Sequence, residues 1–187
     1  RLSQILLDDS CPYALHLAIF VEPYLQFILE GRKTIESRFS SHRCAPYQQV
    51  NVGDIVLLKR SSGPVVGLCE VANVWFYRLD PQSWETIRRE FTQALCVQDP
   101  SFWENRQHAS YATLMRIQHV CPIIPVKFSK KDRRGWVVLK THSIHDRKNR
   151  SKFHQTPLLS GKNATAKELI SSFPNYFGAS AFNNIVR

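Results

Sequence analysis

Long hydrophobic runs are missing from this chain. The longest apolar stretches, Leu15 to Val21 and Val120 to Val126, fall well short of the roughly 20 residues that cross a bilayer as a helix. They suit strands better, and no membrane partner is expected. The opening residues lack the layout of a secretory signal. Cysteine is present but unorganised: Cys11, Cys44, Cys69, Cys96 and Cys121 are odd in number, scattered and free of any C-x-x-C pair. Neither a disulfide framework nor a zinc site is indicated, and a reducing, cytoplasmic location is expected. Cys69 and Cys121 sit in strand-like apolar runs and read as small buried hydrophobes. His142-x-x-His145 has no third ligand near it, so it reads as a loop. Ser61-Ser62-Gly63-Pro64 lacks the nucleophile-elbow pattern and reads as a turn. No internal repeat is visible. No metal and no cofactor is expected.

What is present is an ordinary globular composition, 43% hydrophobic and 21% charged over 187 residues, enough for one domain with a full core. The formal charge of +10 is unevenly placed. Residues 1–126 hold twelve Lys and Arg against twelve Asp and Glu, whereas residues 127–152 hold ten basic residues against Asp132 and Asp146. A balanced body with one basic block is the electrostatic footprint of a polyanion partner, although a solvated basic tail has the same composition.

Hydrophobic patterning divides the chain into a lead-in over 1–13, a domain over 14–141, and a basic linker with an appendage over 142–187. Leu15 to Phe20 reads as a buried strand. Pro23 opens a helix carried by Tyr24, Phe27 and Ile28, and Gly31 stops it. Thr34 to Phe39 follows as a strand, with Thr34, Glu36 and Arg38 on one face. Val52-Gly53-Asp54 turns into a strand over 55–59. Val65 to Tyr77 reads as a long strand ended by Asp80-Pro81. Ser83 is expected to cap a helix from Trp84 to about Leu95. A short helix or turn covers 100–108. Tyr111 to Phe128 reads as strand broken by Pro122 and Pro125, and Gly135 to Thr141 as a last strand. Short strands with a helix after the first and others inserted late indicate an α+β fold, a small mixed β-barrel rather than a doubly wound sheet.

The sharpest local signal is the run Gly31-Arg32-Lys33-Thr34-Ile35-Glu36-Ser37-Arg38. It places two cations and a carboxylate around one helix-to-strand turn. Lysine supplies a mobile point charge for phosphate, and arginine a planar fork for phosphate or a base edge. Glu36 could accept from an exocyclic amine or hold the two cations in place. The same residues would equally make a surface ion-pair ladder on an edge strand.

Gly31, Lys33, Glu36 and Arg38 match the G-x-K-x-x-E-x-R signature of ASCH domains. The flanking order resembles that family too: a strand, the Glu22-Pro23 helix start, the signature, then Val52-Gly53-Asp54 and Val65-Val66-Gly67. The resemblance covers roughly residues 14–141. It implies a PUA-like β-barrel with a cleft beside the first helix, lined by Lys33, Glu36 and Arg38. It also implies RNA binding, with RNA preferred over DNA and a modified base among the candidate ligands. Some family members are hydrolases. Those acting on N4-acetylcytidine use a lysine and a threonine three residues later, where this chain has Glu36. If the chain were an enzyme of that kind or a ribonuclease, Lys33 with Glu36 or Glu70 would carry the chemistry.

Two further groups complete the expected site. Trp75, Phe76, Tyr77, Trp84, Trp103, Tyr111 and Trp136 are many rings for one small barrel. Most belong in the core, but a base stacks on an accessible ring at roughly 1–3 kcal/mol. Trp75 and Tyr77 share a face and are the candidates for base contact. Lys130, Lys131, Arg133 and Arg134 form a basic loop before the Trp136 strand and are the candidate backbone grip.

Overall fold

The strand-rich reading corresponds to a single six-stranded sheet carrying three helices among the described residues. The structure, a computed structural model, describes residues 13–128 and 133–141. Most of the expected lead-in, Lys130 and Lys131, and the segment 142–187 lie outside the described residues.

The chain runs β1 (Leu15–Phe20), α1 (Tyr24–Leu29), β2 (Ile35–Ser40), β3 (Ile55–Arg60) and β4 (Val65–Arg78). It continues through α2 (Pro81–Phe91), α3 (Ser101–Glu104), β5 (Tyr111–Val126) and β6 (Trp136–Lys140). The sheet order is β2-β5-β4-β3-β1-β6. β1 and β3 are parallel and the other pairs antiparallel. The sheet curls into a half-barrel, an α+β architecture of the expected kind.

β1 is buried on both faces, which explains its unbroken apolar run. Ala18 and Phe20 enter a core with Leu25, Ile28, Val56, Leu58, Cys69, Val71, Met115 and Trp136. Leu15 and Leu17 enter another with Leu57 and Val65. Helix α1 lays Leu25, Phe27 and Ile28 inward. Leu29 packs so closely over β4 that a Cβ on Gly67 would stand 3.1 Å from its Cδ2.

Two local readings are corrected. The cap of α2 is Asp80, not Ser83, and the helix begins at Pro81. The Asp80 carboxylate accepts from the Ser83 amide at 2.7 Å, while the Ser83 hydroxyl accepts from the Asp80 amide at 2.8 Å. Pro81 takes the first helical position, where its missing N–H costs nothing. Nor do Pro122 and Pro125 break β5, which runs continuously to Val126. Among the described residues β2 pairs only with Tyr111–Arg116 of β5, so the prolines lie where one side of β5 is an edge and an N–H can be spared.

A buried polar network ties the two ends of the domain together. Asp54, at the mouth of β3, accepts from the backbone of Ala14 (3.3 Å) and Asn51 (2.7 Å) and contacts His16 Nε2 at 3.0 Å. Trp136 Nε1 donates to His16 Nδ1 at 3.2 Å. Indole nitrogen can only donate, so Nδ1 is the accepting nitrogen and Nε2 carries the proton given to Asp54. His16 and Asp54 are both fully buried. The arrangement joins β1, β3 and β6 rather than offering a base to solvent.

Candidate functional site

The signature turn is shaped by Gly31. Its φ of +73° is a left-handed conformation that favours glycine. There the amides of Arg32 and Lys33 both donate to the Phe27 carbonyl, at 2.9 and 3.0 Å. The chain thus reverses off α1 and drops Lys33 into the interior. Strand alternation then places Glu36 and Arg38 on the same side of β2.

The result is a buried ion-pair chain. Lys33 Nζ lies 2.9 Å from Glu36 Oε2, and Arg38 Nε 2.8 Å from Glu36 Oε1. Lys33 also donates to the Ile35 carbonyl. The Arg38 Nε–H is not aimed along the line to Glu36 and makes no hydrogen bond, so that contact is ionic. β2 is an edge strand, but this is no surface ladder: Lys33 is 3% and Glu36 6% exposed. Burial pushes the Glu36 carboxyl up; Lys33 and Arg38, with the Ser37 amide, outweigh it and leave the group below its ordinary value. Glu36 is therefore a carboxylate holding two cations, the second of the roles open to it from sequence.

Arg38 does more than pair. Its Nη2 donates to the Ile19 carbonyl at 3.0 Å and its Nη1 to the Gly135 carbonyl at 3.1 Å. Its guanidinium lies over the rings of Phe20 and Trp136, at 5.0 and 5.4 Å. It links the β2 edge of the sheet to the β1–β6 end.

Lys33, Glu36 and Arg38 line one cleft of about 480 Å³, within the usual range of ligand sites. Its walls come from the end of β1 and the start of α1 (Ile19, Phe20, Val21, Tyr24), from β2 (Ser37, Phe39) and from α3 with the turn after it (Phe102, Asn105, Arg106). Arg106 was not anticipated. Its guanidinium lies 3.8 Å from the Phe102 ring centroid and donates to the Phe102 carbonyl at 2.6 Å. Burial lowers its pKa, Tyr24 and Glu36 raise it, and Arg38 lowers it further; arginine remains charged regardless. Tyr24, read from sequence only as an apolar helix position, lies 6.0 Å from Phe102. The cleft thus holds three cations, Lys33, Arg38 and Arg106, against one carboxylate, Glu36.

The other expected residues lie elsewhere. Trp75 and Tyr77 do share a face, but it packs beneath α2 with Ile87, Phe91 and Leu95. Trp75 meets Phe91 edge-on at 5.1 Å, and neither residue lines the cleft. Glu70 accepts from Gln118 Nε2 at 3.2 Å and contacts His119 Nδ1 at 3.0 Å, and it does not line the cleft either. Its neighbour Cys69 is buried, and that burial, with Glu36 and Glu70, raises the thiol pKa strongly and keeps it protonated. Arg133 and Arg134 are exposed and lead directly into Gly135, the residue Arg38 holds. Among the described residues no group of three or more His, Cys, Asp and Glu could hold a metal ion. None of their helices is long and apolar enough to cross a membrane.

A curled mixed sheet with a basic cleft beside its first helix defines a PUA-like domain. The chain belongs to the ASCH domain family, whose model matches residues 19–144. Among solved structures it is similar to the ASCH protein of Zymomonas mobilis, with 11% identity, 74% of this chain and 94% of that one covered, and a TM-score of 0.54. A mutant of the same protein gives 10% identity, the same coverage and a TM-score of 0.55. At such identities the likeness is one of fold. No curated protein matches the sequence.

Proposed function

We propose that this domain binds RNA, seating one nucleotide in the cleft of Lys33, Arg38 and Arg106. The observation that carries the reading is the charge balance inside the cleft, three cations to one carboxylate, beside the rings of Tyr24 and Phe102. Cations hold a phosphate and an aromatic wall takes a base. Ser37 and Asn105 line the same cleft and are the kind of neutral polar group that reads a 2′-hydroxyl or a base edge, which supports RNA over DNA. Family membership supports the same choice. Arg133 and Arg134, next to the Gly135 carbonyl that Arg38 holds, would meet the backbone of a bound strand.

A hydrolytic reading has less behind it. Glu36 is committed to holding Lys33 and Arg38, at 2.9 and 2.8 Å, and Glu70 is engaged with Gln118 and His119.

Fluorescence anisotropy with single-stranded RNA, the same sequence as DNA, and RNA carrying acetylcytidine tests the proposal. RNA is expected to bind most tightly. Arg106→Ala is expected to lower its affinity roughly tenfold and to reduce the salt slope by about 0.7, the share of one phosphate contact. Affinity unchanged in both Arg106→Ala and a folded Lys33→Met variant would overturn the cleft as the site. Turnover of acetylcytidine, lost in Lys33→Met, would replace binding with hydrolysis.

A further inference from the structure

Helix α2 presents a second concave surface, lined by Pro81, Trp84, Glu85, Arg88, Arg89 and Gln107. It is joined to the cleft by aromatic rings. Phe39, which lines the cleft, lies parallel to Trp84 with centroids 5.3 Å apart and planes 2° apart. Trp103 meets both edge-on, at 6.4 and 6.2 Å. The strip carries an arginine at each end. Arg106 sits over Phe102 in the cleft, and Arg88 lies over Trp84 and Trp103, at 5.7 and 5.6 Å, on the helix side.

Arg88 is exposed and has no carboxylate partner among the described residues, whereas its neighbour Arg89 is paired with Glu90 at 3.0 Å. The buried positions of α2 are Ile87 and Phe91, so Arg88 stands on the outer side of the helix, held by the rings of Trp84 and Trp103. The two arginines are also close. Arg88 to Trp103 is 5.6 Å, Trp103 to Phe102 is 4.8 Å and Phe102 to Arg106 is 3.8 Å. Laid end to end, these steps leave the two guanidinium carbons no more than about 14 Å apart, whatever the angles between them. Neighbouring phosphates of one strand can reach both.

We infer that the surface of Trp84 and Arg88 is a second subsite, which holds the phosphate next along a single strand from the nucleotide in the cleft. A ring-held guanidinium is well suited to grip a phosphate. The ring fixes its plane, less side-chain freedom is lost on binding, and its outer N–H groups remain for phosphate oxygens. The ligand is then a single-stranded oligonucleotide rather than a free nucleotide. A duplex would be disfavoured, because its paired and stacked bases cannot enter the cleft.

This inference rests on the cleft being a nucleotide site, and the experiment separates the two. Binding of adenosine monophosphate and of a short single-stranded RNA is measured on the full chain for wild type, Arg88→Ala, Arg88→Lys and Arg106→Ala. Wild type is expected to bind the oligonucleotide more tightly than the mononucleotide. Arg88→Ala is expected to weaken the oligonucleotide roughly tenfold and cut its salt slope by about 0.7, with mononucleotide binding unchanged. Arg88→Lys should restore the slope but only part of the affinity. Arg106→Ala should weaken both ligands. If Arg88→Ala leaves oligonucleotide affinity and slope unchanged while Arg106→Ala still weakens both, the second subsite is wrong and the cleft stands. If neither ligand binds wild type, both fall together.

Discussion

Arg38, on the edge strand β2, donates a 3.1 Å hydrogen bond to the carbonyl of Gly135, which leads into the strand at the opposite edge of the sheet. No strand pairing joins β2 to β6 among the described residues, so this side chain, with its bond to Ile19, spans the seam. Arg38→Lys keeps the charge but loses the planar fork that reaches two carbonyls at once. It is expected to cost about 1–3 kcal/mol, and Arg38→Ala about 3–5, because alanine also leaves Glu36 short of a cation in a buried site. Urea unfolding of the two variants against wild type measures both numbers. Equal, negligible losses would mean the seam is held by other contacts.

Glu36 makes stability depend on acidity. Its folded pKa lies below the ordinary 4.5, because Lys33 and Arg38 outweigh the burial that pushes it up. A carboxyl whose pKa is depressed by folding contributes stability that is fully present above its unfolded value. That contribution is lost as pH falls through the folded value. Glu36→Gln should therefore be less stable than wild type at neutral pH, by about 3–5 kcal/mol, as the buried Lys33 and the part-buried Arg38 lose their counter-charge. The difference should be constant from pH 7 to about 5 and shrink below the unfolded value near 4.5. Urea midpoints across that range test it, and a gap that widens on acidification would contradict the sign.

The parts of this fold that were legible in the sequence are those set by short-range chemistry. Gly31 marks a left-handed stop, and alternation puts Glu36 and Arg38 on one side of β2. The unbroken apolar run of β1 reflects burial on both faces. Local patterning also shows that Trp75 and Tyr77 share a face, but not which face. On that stretch of β4 both sides are covered, with Val74 and Phe76 against one core and Trp75 and Tyr77 against another. Tertiary contact decides the rest. Arg106 and Phe102 reach the cleft from α3 and the turn after it, more than sixty residues from the signature, and no local spacing marks them. Pro122 and Pro125 read as breaks because the sequence does not reveal where β2 stops pairing.

Asp54 is expected to matter more for stability than its place in a Val-Gly-Asp turn suggests. Its carboxylate serves the Ala14 and Asn51 amides and the His16 ring, and His16 in turn receives the Trp136 indole. Asp54→Ala strands three buried or half-buried donors at once. At about 1–3 kcal/mol for each unsatisfied group, partly relieved by relaxation, the expected loss is roughly 3–5 kcal/mol. Thermal and urea unfolding read the total. A Trp136→Phe variant should lose less, about 1–2 kcal/mol, because only the His16 acceptor is left open and the aromatic packing is kept. The reverse ranking would place the weight of this joint on Trp136 instead.

Arg106 separates function from folding. It is half-buried, pairs with no carboxylate in the ion-pair chain, and is held by one backbone carbonyl and the face of Phe102. Arg106→Ala should therefore cost stability about 1–3 kcal/mol, the worth of one hydrogen bond and one ring contact. It also changes the cleft from three cations per carboxylate to two. If the cleft takes a phosphate, the rise in wild-type melting temperature at a fixed excess of adenosine monophosphate follows from mass action, and a tenfold loss of affinity in Arg106→Ala should cut it by roughly half at about a hundredfold excess over the wild-type Kd. Arg106→Lys should fall between, because the charge remains while the flat contact with the ring is lost. The discriminating result is the pairing of a small change in unliganded stability with a large change in the ligand-induced shift. A variant that loses both in proportion would show Arg106 to be a packing residue, and the phosphate would then have to lie with Lys33 and Arg38.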